Sequence, residues 1–192
     1  MSDKTDERQF RYGIDAHDRI DEVSTNWLAF ARENEAPELD EEAVVGKPLL
    51  SFVDGEETRQ LYDSLLTLVR NEQRAVSVVF RCDAPDRRRY MTLRIAAEGD
   101  RRVSLTARID RVKPRPRLEF LARTMARTKE LLVVCGWCRR VNVGEEWFEL
   151  DEAAADLGLF TATALPGVSH GICGDCSEEA SLELGEKPRA RH

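Results

Sequence analysis

Between residues 75 and 109, apolar and polar side chains alternate with a period of two, the signature of strands with one buried face. In 75–82, Val76, Val78 and Phe80 share a face and Val79 lies opposite. In 89–96, Met91, Leu93 and Ile95 oppose Tyr90, Thr92 and Arg94, and in 102–109 Val103, Leu105, Ala107 and Ile109 align. The linkers APDRR and EGD have hairpin length, so these three strands are expected to form an antiparallel meander. Upstream, residues 10–14 and 19–23 read as two short strands around the turn DAHD. Ser24 or Thr25 can cap a helix that buries Trp27, Leu28, Phe30 and Ala31. Residues 43–57 read as a strand-like or irregular crossing with turns at Gly46 and Asp54-Gly55. A clearer helix over 56–71 places Leu61, Leu65, Leu68 and Val69 on one side.

Two strands, helices and three strands make an α+β domain: a five-stranded antiparallel sheet with helices on one face, spanning 10–110. Residues 1–9 are charged and without periodicity, as expected of a disordered tail. The prolines and basic residues of RVKPRPR mark a domain boundary. Beyond it, Leu118, Leu121, Met125, Thr128 and Leu132 recur at spacings of three and four. That stripe predicts a connector helix within 111–134, serving either as a homodimer seam or as packing against the protein's own sheet.

Charge is segregated. Residues 1–69 carry 7 basic and 17 acidic side chains, residues 70–117 carry 14 and 6, and residues 135–192 carry 5 and 11, within a net charge of -7. The basic segment 81–117 raises a nucleic-acid adaptor as an alternative. The acidic flanks argue against a polyanionic partner and for arginines that pair with the first third of the chain. No run approaches the about 20 apolar residues of a membrane span, and the amino-terminal segment has no apolar signal core, so the expectation is a cytoplasmic protein without membrane contact.

Four of the five cysteines form two Cys-x-x-Cys pairs, Cys135/Cys138 and Cys173/Cys176, separated by 34 residues. Such a turn brings two thiolates to one ion, and two turns complete a tetrahedron. In a reducing compartment this spacing favours metal over structural disulfides. A structural Zn2+ site in a module over 135–184 is the leading expectation. An iron–sulfur cluster and a redox switch through paired disulfides are the alternatives. Arg139 and Arg140 follow the first pair and would support thiolate charge. His170, three residues before Cys173, is a supporting residue or an alternative metal ligand. A strand pair over 141–143 and 146–150 should turn at Gly144, a helix over 151–157 is capped by Asp151, and a loop runs on through Pro166. The second pair begins a helix, so its thiolates face the positive end of the helix dipole. Knuckle, hairpin and helix-borne ligands together have a treble-clef-like layout. Residues 185–192 are a tail.

Tyr12-Gly-Ile-Asp, Asn26-Trp-Leu-Ala-Phe, Val45-Gly-Lys-Pro-Leu and the closing meander resemble the PAS sensory family over residues 10–110. The resemblance implies ligand sensing or dimerisation, no intrinsic catalysis, and a sheet-backed pocket whose candidate lining is Trp27, Phe30, Phe80 and Leu93; Trp27 and Phe30 also suit a plain core role. Cys135, Cys138, Arg139, Arg140, Trp147, Ser169, His170, Gly171, Ile172, Cys173 and Cys176 resemble a carboxy-terminal module appended to bacterial PAS and signalling proteins. Cys82 reads as a packed cysteine rather than a reactive one, and His17 as a turn residue rather than a haem ligand. No nucleophile–base spacing or glycine-rich phosphate loop stands out. The sequence therefore points to a non-enzymatic signal-transduction protein in which a PAS-like domain is joined to a zinc module that contacts a protein partner.

Overall fold

In the computed structural model, residues 8–34, 36–118 and 126–185 are described. The amino-terminal hairpin joins β1 (Gln9–Ile14) to β2 (Ile20–Val23), antiparallel. Ser24 caps α1 (Thr25–Glu33) by accepting the Trp27 amide, which resolves the choice between Ser24 and Thr25. The crossing forms no strand: α2 (Glu41–Val44), capped by Asp40, runs into its start, and a single 3-10 turn follows at Leu49–Phe52. Then α3 (Glu56–Glu72) buries Leu61, Leu65, Leu66 and Val69. The meander is β3 (Val76–Arg81), β4 (Arg87–Ala97) and β5 (Val103–Pro114). The five strands form one antiparallel sheet in the order β2-β1-β5-β4-β3, so the chain has the expected α+β class.

Alternation in sequence becomes alternation in burial. Val76 and Val78 in β3, Met91, Leu93 and Ile95 in β4, and Val103, Leu105 and Ala107 in β5 are buried, while Ser77, Val79 and Arg94 are exposed. Each fully buried aliphatic side chain contributes about 1.5–3 kcal/mol relative to exposure.

Four further strands form a second sheet, β8-β7-β6-β9, from β6 (Arg127–Cys135), β7 (Val141–Val143), β8 (Glu146–Phe148) and β9 (Leu165–Gly171). Between β8 and β9 lies α4 (Leu150–Asp156), and α5 (Gly174–Glu183) follows β9. Leu118, Leu132, Val134, Val141, Leu150, Ala153, Ala154 and Leu165 form the core here.

Three expectations change. Thr128 and Leu132 lie in β6 rather than in a connector helix; Leu121 and Met125 of the same stripe fall outside the described residues. The physical reason is that Leu132 and Val134 are buried while Leu131 is exposed, a period of two that the β-branched run Val133-Val134 favours. The cap of α4 is Glu149, reciprocated by Glu152 in a capping box, rather than Asp151. The loop expected through Pro166 instead gives way to β9 at Leu165.

Backbone contacts divide the chain into two units. The first comprises residues up to Val53, Leu61–Val79 and Met91–Asp110; the second comprises Asp54–Gln60, Phe80–Tyr90 and everything from Arg111 onward. The second unit thus takes in the start of α3 and the tip of the β3–β4 hairpin, which linear reading assigns to the sheet domain.

Candidate metal centre

The two cysteine pairs meet because β6 and β9 run parallel. Their register places Cys135 opposite Gly171, so the chain leaves both strands at the same end and immediately supplies Cys138 on one side and Cys173 and Cys176 on the other. Parallel neighbours need a crossover connection, and β7, β8 and α4 provide it. All four sulfurs lie within 4.8 Å of one another, and the Cys138 and Cys173 sulfurs are 3.6 Å apart. Zinc–thiolate bonds of about 2.3 Å give a tetrahedron with edges of about 3.8 Å, so the donor set fits one such ion. A polynuclear cluster interposes irons and sulfides between its cysteines, which a constellation this tight does not accommodate.

Local backbone geometry builds the first knuckle. The Cys135 amide donates to the Arg140 carbonyl at 2.8 Å and the Arg139 amide to the Cys135 carbonyl at 3.0 Å, with Arg139 in the left-handed region at φ 63°. The Gly136 amide donates to the Gly171 carbonyl at 2.9 Å, fastening the knuckle to β9. The second pair sits on α5, with Cys173 at the cap position and Cys176 in the first turn, where the helix dipole favours negative charge.

Donors converge on the sulfurs. The amides of Cys138 and Cys173 point at the Cys135 sulfur at 3.5 and 3.4 Å. Arg140 spans the pairs: its Nε reaches the Cys138 sulfur at 3.2 Å and its Nη2 the Cys173 sulfur at 3.4 Å, while Nη2 also bonds Asp175 at 2.9 Å. Hydrogen bonds from Cys138, Cys173 and Cys176 hold the Cys135 thiol far below its usual range. Cys138 is raised by Cys135 but lowered more by Cys173, Cys176 and the Arg140 guanidinium, ending at about 6. Cys173 and Cys176 are pushed up, chiefly by Cys135 and Cys138. Protein groups alone thus stabilise some of the thiolates at the expense of the others; four together call for a cation.

The other predicted residues separate. Arg140 donates to sulfur, whereas no sulfur bond from Arg139 occurs among the described contacts; its charge instead adds to the burial that lowers the His170 pKa. His170 lies in β9 opposite Val134, outside the sulfur cluster, with Nδ1 4.0 Å from Asp54 Oδ2. Burial first, and then Arg139, lowers its pKa, with Asp54 opposing. Gly55, at φ +87°, passes so close that a Cβ there would stand 3.0 Å from the His170 Cβ. Trp147 pairs with Asn142 across the β7–β8 hairpin. Burial pushes the Cys82 thiol up, against Arg89 and Arg139.

Sequence reasoning missed a buried ion network in the same unit. Arg81, with 5% of its side chain exposed, bonds Asp83, which is 1% exposed, and reaches Glu149 at 2.7 Å. Arg115 reaches Asp83 at 3.0 Å, and Arg88 bonds Asp151. Arg81, Arg88 and Arg115 of the basic segment thus pair with Asp83, Glu149 and Asp151, not with the acidic first third. Within the first unit that expectation holds for Arg70 with Asp18 and for Arg102 with Asp21. The only hint in the sequence was the density of Arg on β-strands that also carry a buried face.

Of the candidate pocket residues, Trp27 and Phe30 are half-buried in α1 and Leu93 is buried in β4, all in the first unit; Phe80 falls in the second. The Phe30 ring lies 4.3 Å from that of Phe10, a core packing pair.

No family profile and no curated protein matches this chain. Solved structures similar to it include the photoactive yellow protein domain of the sensor histidine kinase Ppr from Rhodospirillum centenum, with 14% identity and a TM-score of 0.40 over 53% of this chain and 91% of that one. The PAS domain of Bordetella pertussis BvgS has 16% identity and a TM-score of 0.38 over 53% and 72%. A sensory box sensor histidine kinase from Vibrio cholerae has 13% identity and a TM-score of 0.36 over 52% and 79%. No described helix is long and apolar enough to cross a membrane.

Proposed function

We propose that this chain is a non-enzymatic signal-transduction protein of the cytoplasm, in which a PAS-like domain for sensing or dimerisation is coupled to a structural zinc module that contacts a protein partner. The observation that carries the metal half is the convergence of four sulfurs within 4.8 Å, bridged by Arg140. Supporting the sensor half is the order strand, strand, helices and three strands closing into one five-stranded sheet. In this reading zinc links the end of β6 to the start of α5 and holds a docking surface in shape, since four thiolates leave no open position for substrate.

A thiol switch is the second reading, favoured by the 3.6 Å approach of Cys138 to Cys173. A nucleic-acid adaptor has less support, because Arg81, Arg88, Arg102 and Arg115 are already engaged with carboxylates. Elemental analysis and an absorbance spectrum of anaerobically purified protein test the proposal. One zinc per chain and no visible band is the expected result. Four freely titrating thiols in a native, metal-free protein would overturn it; visible bands would replace zinc with iron or bring in a flavin or haem.

A further inference from the structure

We infer that the tip of the β3–β4 hairpin, residues 80–90, is a working part of the metal centre, with Arg81 and Asp83 acting as positioning residues for its first knuckle; this rests on metal binding as proposed above. The direct link is a main-chain bond. The Arg81 amide donates to the Trp137 carbonyl at 2.8 Å, and Trp137 lies between the two ligands Cys135 and Cys138. That carbonyl is in a turn whose shape sets where both sulfurs point. Trp137 is itself buried, where leaving a carbonyl unpaired is costly.

Side-chain chemistry then fixes the amide's position. The Arg81 guanidinium grips Asp83 through Nε and Nη2 and reaches Glu149 through Nη1. Glu149 is the cap of α4, in the crossover that joins the two cysteine pairs. Asp83 is the hub: besides Arg81 it accepts Arg115 Nη1 at 3.0 Å and the Arg89 amide at 3.3 Å. Arg115 in turn holds the Ala84 carbonyl at 2.7 Å. A buried carboxylate shared by two buried guanidinium groups has few alternative arrangements, because any movement leaves a charge unpaired. The tip can therefore shift only together with the knuckle carbonyl it holds.

Two groups of states linked this way obey reciprocity: if metal strengthens the hairpin tip by some factor, loosening the tip weakens metal binding by the same factor. The two strands that carry the tip, β3 and β4, are also members of the five-stranded sheet.

Hydrogen exchange on the full-length protein, with and without a strong zinc chelator, tests the inference, with zinc stoichiometry measured on the same sample. We expect chelation to accelerate exchange of the Arg81, Cys82 and Arg89 amides about tenfold or more while Leu105 and Tyr12 in the β1–β5 pair change by less than about twofold, within the usual span of coupling factors. Asp83→Asn should weaken zinc about tenfold in chelator competition, and Arg81→Lys should weaken it less than Arg81→Gln. Stoichiometric zinc with unchanged exchange at the tip would overturn the inference and leave the functional proposal standing. So would a uniform rise that includes Leu105, or an unaltered zinc affinity in Asp83→Asn. Protein that binds no zinc at all would overturn both.

Discussion

The Thr58 hydroxyl stands 2.6 Å from the place where a Cβ on Gly136 would be built. Gly136 follows the first ligand, Cys135, so the knuckle turns against the first turns of α3 with no room for a side chain. Thr58 is buried, and its hydroxyl has no hydrogen-bond partner among the described residues, which marks the contact as one of shape. Gly136→Ala should destabilise the protein by about 1–3 kcal/mol, the usual cost of overpacking. Thr58→Ala in the same background should recover much of that loss. Urea midpoints of the two single variants and the double variant measure it; additive losses would show that the two residues do not meet.

Metal ligands and the spare cysteine should separate cleanly. Cys173→Ser is expected to abolish stoichiometric zinc, while Cys82→Ser should leave one zinc per chain. Chelation should lower stability by the ligand's linkage term, about 4 kcal/mol if free zinc had stood a thousandfold above its dissociation constant. Elemental analysis and thermal melts with and without chelator report both effects.

Asp83→Ala removes one carboxylate and leaves the Arg81 and Arg115 charges buried together. Breaking a buried pair in this way costs about 3–5 kcal/mol. Arg11→Gln cuts the more exposed bonds to Glu22 and Glu98 and should cost about 1 kcal/mol or less. Chemical denaturation of both variants at neutral pH makes the comparison.

His170 predicts a pH dependence of definite sign. Its folded pKa is depressed below 6.5, mainly by burial, so the unfolded chain takes up the proton first. Stability from this residue is complete above about pH 6.5 and is lost as pH falls from there through the folded pKa. The difference in denaturation midpoint between wild type and His170→Gln should shift steadily against the wild type over that range. A pH-independent difference would refute it, and comparing the two proteins removes the separate acid sensitivity of the metal.

Much of the first unit was legible because its signals are local: alternation in β3, β4 and β5, the Ser24 cap, and the apolar stripe of α3. The clustering of the four cysteines was legible because two short spacings suffice to name them. By contrast β9 was not, since Leu165-Pro-Gly-Val-Ser-His-Gly has no alternation and its strand character comes from pairing with β6, thirty-odd positions earlier. The stripe from Leu118 to Leu132 matched helical spacing by coincidence at Thr128 and Leu132, where β6 takes the period of two. Partners such as Asp83 for Arg115 and Glu149 for Arg81 depend on tertiary placement, so composition showed the arginines but not their purpose.

The parallel pairing of β6 with β9 makes the centre sensitive to register and indifferent to length. Slipping β9 by one residue would carry Cys173 and Cys176 about 3.3 Å along the sheet, comparable to the whole spread of the sulfurs, and turn their strand's faces over. Inserting residues at the Gly144 turn or between α4 and β9 would only lengthen a crossover, at a cost that grows slowly with its size. Relatives of this chain should therefore differ freely in the span between the cysteine pairs, while the single residue Ile172 between the end of β9 at Gly171 and Cys173 holds that spacing constant.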